Sequence, residues 1–276
     1  MGKSVTLMWA AGLALAVAAG GCHRRGELVE RGGDQNDLAA TEEVRDSYQL
    51  APGAQVSVSG INGEVKVEAA EGERAELYIV RSARQRRDLQ RRRLTIEHTP
   101  ERLEVRFERE RASSFFGIFG SRPQERQTVV LKVPRGVQFA AKDVNGRLEV
   151  GEIAGVVRVG GVNGRVVVSG AAGSARVESV NGNIELGLAK LNNEGVSVKG
   201  VNGNVKLWFT GELNADVRVR GINGRIEPEL PNLKVAGAAR RGRLEGRVGA
   251  GGSPVEISGV NGNILLARAE TGVAAK

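Results

Sequence analysis

The sequence predicts an all-β protein, a single-stranded parallel β-helix (β-solenoid) of roughly 18–21-residue coils with an N-terminal strand-rich cap. Three observations predict it. An apolar residue followed by Asn-Gly recurs at Asn62-Gly63, Asn145-Gly146, Asn163-Gly164, Asn181-Gly182, Asn202-Gly203, Asn223-Gly224 and Asn261-Gly262. From Asn145 to Asn223 these pairs fall at steps of 18, 18, 21 and 21 residues. After each pair comes an x-apolar-x-apolar alternation, as in Arg147-Leu148-Glu149-Val150, broken only by Pro228 in the sixth copy.

The first element is a leader. Lys3, an apolar stretch from Val5 to Ala19 and small residues up to Cys22 read as a signal peptide over 1–21. The apolar stretch is shorter than the roughly 20 residues of a membrane-spanning helix. The run Ala19-Gly20-Gly21-Cys22 resembles the bacterial lipobox, in which the cysteine becomes the lipidated first residue of the mature chain. Glycine before the cysteine is unusual there. An ordinary cleaved leader followed by an idle thiol is the alternative. His23, where an aspartate would mark inner-membrane retention, implies an outer-membrane lipoprotein facing the periplasm. Cys22 is the chain's one cysteine, so a disulfide within one chain and a thiolate metal cluster are both excluded.

Residues 22–43 are polar, without an apolar period, and read as a flexible tether. Residues 44–267 form one adhesin-like solenoid domain, with an irregular cap and first coils over 44–134 and regular coils over 135–267; residues 268–276 read as a disordered tail. In the cap, Leu94–His98 and Leu103–Phe107 alternate on either side of Thr99-Pro100-Glu101-Arg102, a hairpin turn, whereas Ser82–Arg93 lacks strand alternation and suits a short basic helix.

In the coils, Asn-Gly marks a corner because both residues tolerate positive φ. Successive coils then stack about 4.8 Å apart. Leu148, Val166, Ile184, Val205, Ile226, Leu244 and Ile264 fall into one apolar column. The copy at Leu244 is degenerate: Arg240-Arg241-Gly242-Arg243 keeps the glycine and has lost the asparagine. Trp208 and Phe209 extend the core. Stacked asparagines can hydrogen-bond as an amide ladder, which explains asparagine and not merely glycine. A lone coil cannot outweigh its ordering entropy, so coils must share a core and have covered ends.

The order of lipobox, tether, "APGAQVSVSGINGEVKV", hairpins, "VVLKVPRGVQFAAKDVNGRLEV" and recurrent apolar-Asn-Gly coils resembles a family of bacterial adhesin-like domains of unknown function, over roughly residues 44 to 267. The resemblance implies a β-solenoid and brings no catalytic residues with it. The insert "RSARQRRDLQRRR" departs from it by its charge.

No enzymatic constellation is legible. His23 and His98 are isolated, no carboxylate pair recurs in a column, and the glycine-rich bends lack a phosphate-loop ending. No metal site, catalytic residue or cofactor is expected. The formal net charge of +8 suits anionic partners, and a secreted address removes nucleic acid from that set. Arg81, Arg84, Arg86, Arg87, Arg91, Arg92 and Arg93 form a candidate site for anionic lipid, lipopolysaccharide or wall polymer, because guanidinium forks match phosphate and carboxylate. The plain alternative is a solvated helix face. Lys234, Arg240, Arg241, Arg243 and Arg247 form a smaller basic group. Phe115, Phe116, Ile118 and Phe119 either contact a partner or membrane, or fold back to plug the solenoid end. The functional reading is a non-enzymatic, lipid-anchored binding or adhesion module of the bacterial cell envelope. The alternative is a structural or signalling accessory that docks a partner protein.

Overall fold

At each corner the chain turns between two rows of strands. The computed structural model describes residues 40–109, 125–209, 214–236 and 242–268. The leader, Cys22, the aromatic segment Phe115–Phe119, Arg240, Arg241 and the tail beyond Arg268 lie outside the described residues.

The first strands are β1 (Ala40–Gln49), β2 (Gln55–Ser59), β3 (Asn62–Ala70) and β4 (Arg74–Ala83). The helix α1 (Arg86–Gln90) follows, then β5 (Arg92–Thr99), β6 (Arg102–Arg109) and β7 (Glu125–Pro134). Two long strands run unbroken through their corners, β8 (Gln138–Val150) and β9 (Val156–Ala171). Strand pairs then flank each corner: β10 (Ser174–Asn181) with β11 (Ile184–Leu188), and β12 (Val196–Asn202) with β13 (Val205–Phe209). The remainder are β14 (Ala215–Asn223), β15 (Ile226–Glu229), β16 (Leu233–Val235), β17 (Arg243–Val248), β18 (Ser253–Asn261) and β19 (Ile264–Arg268). The tether expectation ends too late, because residues 40–43 already pair in β1 with β4.

The fold is all-β, with the described strands in one mixed sheet. Before the corners, β6, β2, β8, β9, β10, β12, β18 and β14 pair side by side in parallel. After the corners, β7, β3, β8, β9, β11, β13, β19 and β15 do the same. A parallel β-helix throughout is not what the sheet shows: it is mixed, with antiparallel pairs at its two ends, the expected hairpin at Pro100 among them. There β1, β4 and β7 pair antiparallel, as do β5 and β6, and β17 runs antiparallel to both β14 and β16. At β5–β6 a short connection imposes this. A two-residue tip at Pro100-Glu101 can only return its strand antiparallel, whereas a parallel neighbour needs a long crossover.

Inward side chains come from both rows. Leu148, Val166, Ile184, Val205 and Ile264 are register-matched and wholly buried, and Ile226 closes their column half-buried. Leu244 does not belong to it. It pairs antiparallel with Val219, because the segment that lost its asparagine folds back over β14 as a cover. Trp208 also departs from expectation. Leu207 and Phe209 point inward, so strand alternation turns Trp208 to the outer face, partly exposed beside Gly187 and Ala267.

Spatial order differs from chain order near the C-terminus. The β18–β19 turn lies between β12–β13 and β14–β15, although it comes last in sequence.

Candidate functional site

The corners set the frame. Six of the corner glycines, from Gly63 to Gly262, hold φ between 145° and 154°, and a side chain on Gly164 would collide with the carbonyl oxygen of Gly146 in the next layer. That clash explains glycine. The asparagines form the expected amide ladder: Asn145 donates to Asn62 at 2.8 Å, then Asn163 to Asn145, Asn181 to Asn163 and Asn202 to Asn181, each at 3.1 Å. Asn261 donates to Asn202 and Asn223 to Asn261 at the same distance. All donate toward the N-terminal cap. There the Asn62 side chain donates to the Glu125 carbonyl oxygen at 2.6 Å, and the Asn62 backbone N–H to the Gln127 side-chain oxygen at 2.6 Å.

Gln127 links this ladder to the arginine segment, because its Oε1 also accepts from Arg92 Nη1 at 3.2 Å. Its own Nε2 is buried without a partner. Sequence reasoning missed Gln127. The signal was its place two residues before the apolar run Val129-Val130-Leu131, where the other layers carry a corner.

Arg81 does not belong to the exposed cluster that the sequence suggests. It is 5% exposed and turns into the cap instead of toward a ligand. Its Nε donates to Glu125 Oε1 at 3.0 Å and its Nη1 to Glu42 Oε2 at 2.7 Å. Its Nη2 donates to the carbonyl oxygens of Leu89 and Arg92, at 2.5 and 2.7 Å, and the guanidinium lies 5.7 Å from the Phe107 ring centre. Alternation dictates this, since Ala75, Leu77, Ile79, Arg81 and Ala83 all occupy the buried phase of β4. Arg81 therefore ties β1, β7, the C-terminal end of α1 and the start of β5 together.

Arg84, Arg86, Arg87, Arg91 and Arg93 are exposed around α1, while Arg92 is half-buried. Leu89 anchors the helix at 5% exposure. Asp88 lies 3.9 Å from Arg91. The structure thus divides the candidate cluster into an exposed set and two residues, Arg81 and Arg92, engaged in cap contacts. In the second basic group, Arg247 contacts Asp216 at 3.3 Å and pairs antiparallel with it across the β14–β17 ladder, while Lys234 and Arg243 are exposed.

His98 is exposed, its Nε2 2.9 Å from the Gln49 carbonyl oxygen and its ring 4.8 Å from that of Tyr48. Burial first, then the Asp46 charge and a hydrogen bond to Asp46 Oδ2 at 3.1 Å, raise the Tyr48 phenol well above its ordinary range. A hydrogen bond to Glu68 raises the Lys66 ammonium, and the same contact lowers Glu68. Among the described residues no three His, Cys, Asp or Glu side chains gather as a metal-binding group, and no helix is long and apolar enough to cross a membrane.

No family model matches the chain, and no curated protein matches it. The chain is similar to a solved structure of a proposed cell adhesion protein from Clostridium sporogenes, at 11% identity and a TM-score of 0.41, covering 82% of this chain and 100% of that one. It is also similar to a proposed adhesin from Bacteroides fragilis, at 11% identity and a TM-score of 0.29, covering 81% and 96%. A third likeness is to a proposed adhesin from Parabacteroides merdae, at 12% identity and a TM-score of 0.27, covering 83% and 96%.

Proposed function

We propose that the chain is a non-enzymatic binding module of the bacterial cell envelope, lipid-anchored through Cys22 to the outer membrane and facing the periplasm. Its parallel strand layers act as a β-solenoid, a rigid post that displays contact surfaces, with residues 22–39 as the tether. The partners are anionic envelope polymers or lipids.

One observation carries the reading. Arg84, Arg86, Arg87, Arg91 and Arg93 are exposed on a short segment whose base is fixed by the buried Arg81 contacts. A backbone held at its base leaves only side-chain freedom to be lost when these guanidiniums bind phosphate or carboxylate. The leader, the lipobox and the positive net charge agree with it.

Co-sedimentation of the purified chain with isolated outer membranes and with peptidoglycan sacculi, at low and high salt, tests it. Binding should fade steeply as salt rises and fall at least tenfold when Arg84, Arg86, Arg87 and Arg91 become glutamate. Arg92 is left intact because it contacts Gln127. Absence of binding to either material overturns the reading. A second reading, docking of a partner protein, rests on β1, a ten-residue strand that pairs with β4 alone among the described strands.

A further inference from the structure

A shallow groove of about 300 Å³ crosses the row of strands before the corners, where β6, β2, β8 and β9 lie side by side. Register creates it. Glu104, Ser57, Ala140 and Arg158 are successive neighbours across these strands, as are Arg106, Ser59, Lys142 and Gly160. The middle positions carry short side chains, while long ones rise from β6 on one side and from β8 and β9 on the other. The floor is thus two serine hydroxyls and a methyl group, and the side-chain amides of Gln55 and Gln138 lie at one end.

Charge divides the two walls of this groove. On the β6 wall Glu104 is shared by two guanidiniums, at 2.8 Å from Arg102 and 3.0 Å from Arg106. On the facing wall Lys142 and Arg158 have no carboxylate within ion-pair distance among the described residues. Arg158 is steadied instead by Gln138 Oε1 at 3.4 Å from its Nη1. Beyond the corners, by contrast, Arg147 and Arg165 are each paired with a glutamate, Glu149 and Glu185.

We infer that this groove binds a stretch of acidic polysaccharide. The inference rests on the proposed envelope-binding role and adds a substrate class and a site separate from the α1 arginines. Hydroxyls and amides on the floor and end match the alternating donors and acceptors of sugar hydroxyls. Unneutralised cations on one wall match ring carboxylates. No apolar side chain larger than the Ala140 methyl group points into the groove to receive an acyl chain, which separates it from a lipid site. Val56, Val58 and Phe139, which also border it, point their side chains into the core.

The test measures binding of the full chain to polygalacturonate, with dextran as the neutral polymer and anionic-lipid vesicles as the lipid surface. Lys142→Glu with Arg158→Glu should weaken polygalacturonate binding at least tenfold at low salt, leave the melting temperature unchanged and leave vesicle binding within twofold. Ser57→Trp keeps every charge but fills the floor, and should weaken the same binding severalfold. Arg86→Glu with Arg87→Glu should spare polygalacturonate.

Equal affinity for polygalacturonate and dextran overturns the groove, as does full binding by the Lys142 and Arg158 variant. Loss with that variant but not with Ser57→Trp overturns it too, in favour of bulk charge. In any of these cases salt-sensitive binding to membranes or vesicles leaves the envelope-binding role standing. Binding of the unsubstituted chain to polygalacturonate but not to membranes, sacculi or vesicles would instead overturn the α1 contact and retain the groove.

Discussion

The side-chain amide of Asn261 donates to Asn202 Oδ1 at 3.1 Å, although Asn223 is the next asparagine corner along the chain after Asn202. The β18–β19 turn has entered the stack between two turns that are consecutive in sequence. Pro228 gives a physical reason. It sits on β15, which among the described strands pairs with β19 alone, so its missing N–H faces away from the ladder. Between β13 and β19 the same proline would leave a carbonyl without its donor.

Paired cysteines check this order. In a chain carrying Cys22→Ser, cysteines at Ser197 and Glu256 should oxidise to a disulfide, because these residues are register neighbours on one face. Cysteines at Ser197 and Arg218 should not, since Glu256 lies between them. Mass measurement of a peptide digest distinguishes the two. A bridge between 197 and 218 would show that the turns stack in chain order.

Arg81 is the buried cation of the cap, so Arg81→Met should destabilise the chain by about 3–5 kcal/mol by stranding the Glu125 carboxylate. Adding Glu125→Leu should recover at least half of that. Urea unfolding reads both. Hydrogen exchange along β1 should quicken in the single variant, because Glu42 loses its guanidinium. A loss under 1 kcal/mol would mean that the contacts around Arg81 carry little of the cap.

The two corner residues should differ in weight. Gly164→Ala places a methyl group on the Gly146 carbonyl and holds an L-residue at φ 149°, at a cost of about 3 kcal/mol. Asn163→Ala removes two exposed ladder hydrogen bonds, at a cost of about 1 kcal/mol. Equal losses in denaturant midpoints would contradict the packing argument.

Alkaline stability should depend on Tyr48. Its raised phenol keeps its proton in the folded chain above about pH 10, where an unfolded phenol ionises. Its contribution is therefore constant below that pH and is lost as the pH rises further. Tyr48→Phe should flatten the decline of unfolding free energy above about pH 10. The same slope in both chains would remove Tyr48 as the cause.

Corner spacing made the layers legible in sequence. The asparagine ladder, the columns through Val166 and Ile184, the hairpin at Pro100 and the short helix before Arg91 all follow from local pattern. So did the exposed arginines as a candidate surface. The depth of Arg81 was also written in the alternation of β4, but a charged side chain at an inward position needs acids from β1 and β7 to stay there. Those partners lie 39 and 44 residues away.

By itself the sequence determined the repeat: where the chain bends, which columns point inward, and why asparagine, as an amide ladder, stands at the bends. The corner asparagines are not at positive φ, and it is the next layer's carbonyl that demands glycine. Only the tertiary structure decided the order in which equivalent turns stack, the antiparallel covers at both ends, and the groove over Ser57 and Ala140. The reason is degeneracy. Each turn offers the same ladder and nearly the same columns, so local pattern accepts several neighbours equally. Contacts between distant segments choose among them, through a proline without an N–H, a guanidinium that needs two carboxylates, and a row of short side chains beside long ones.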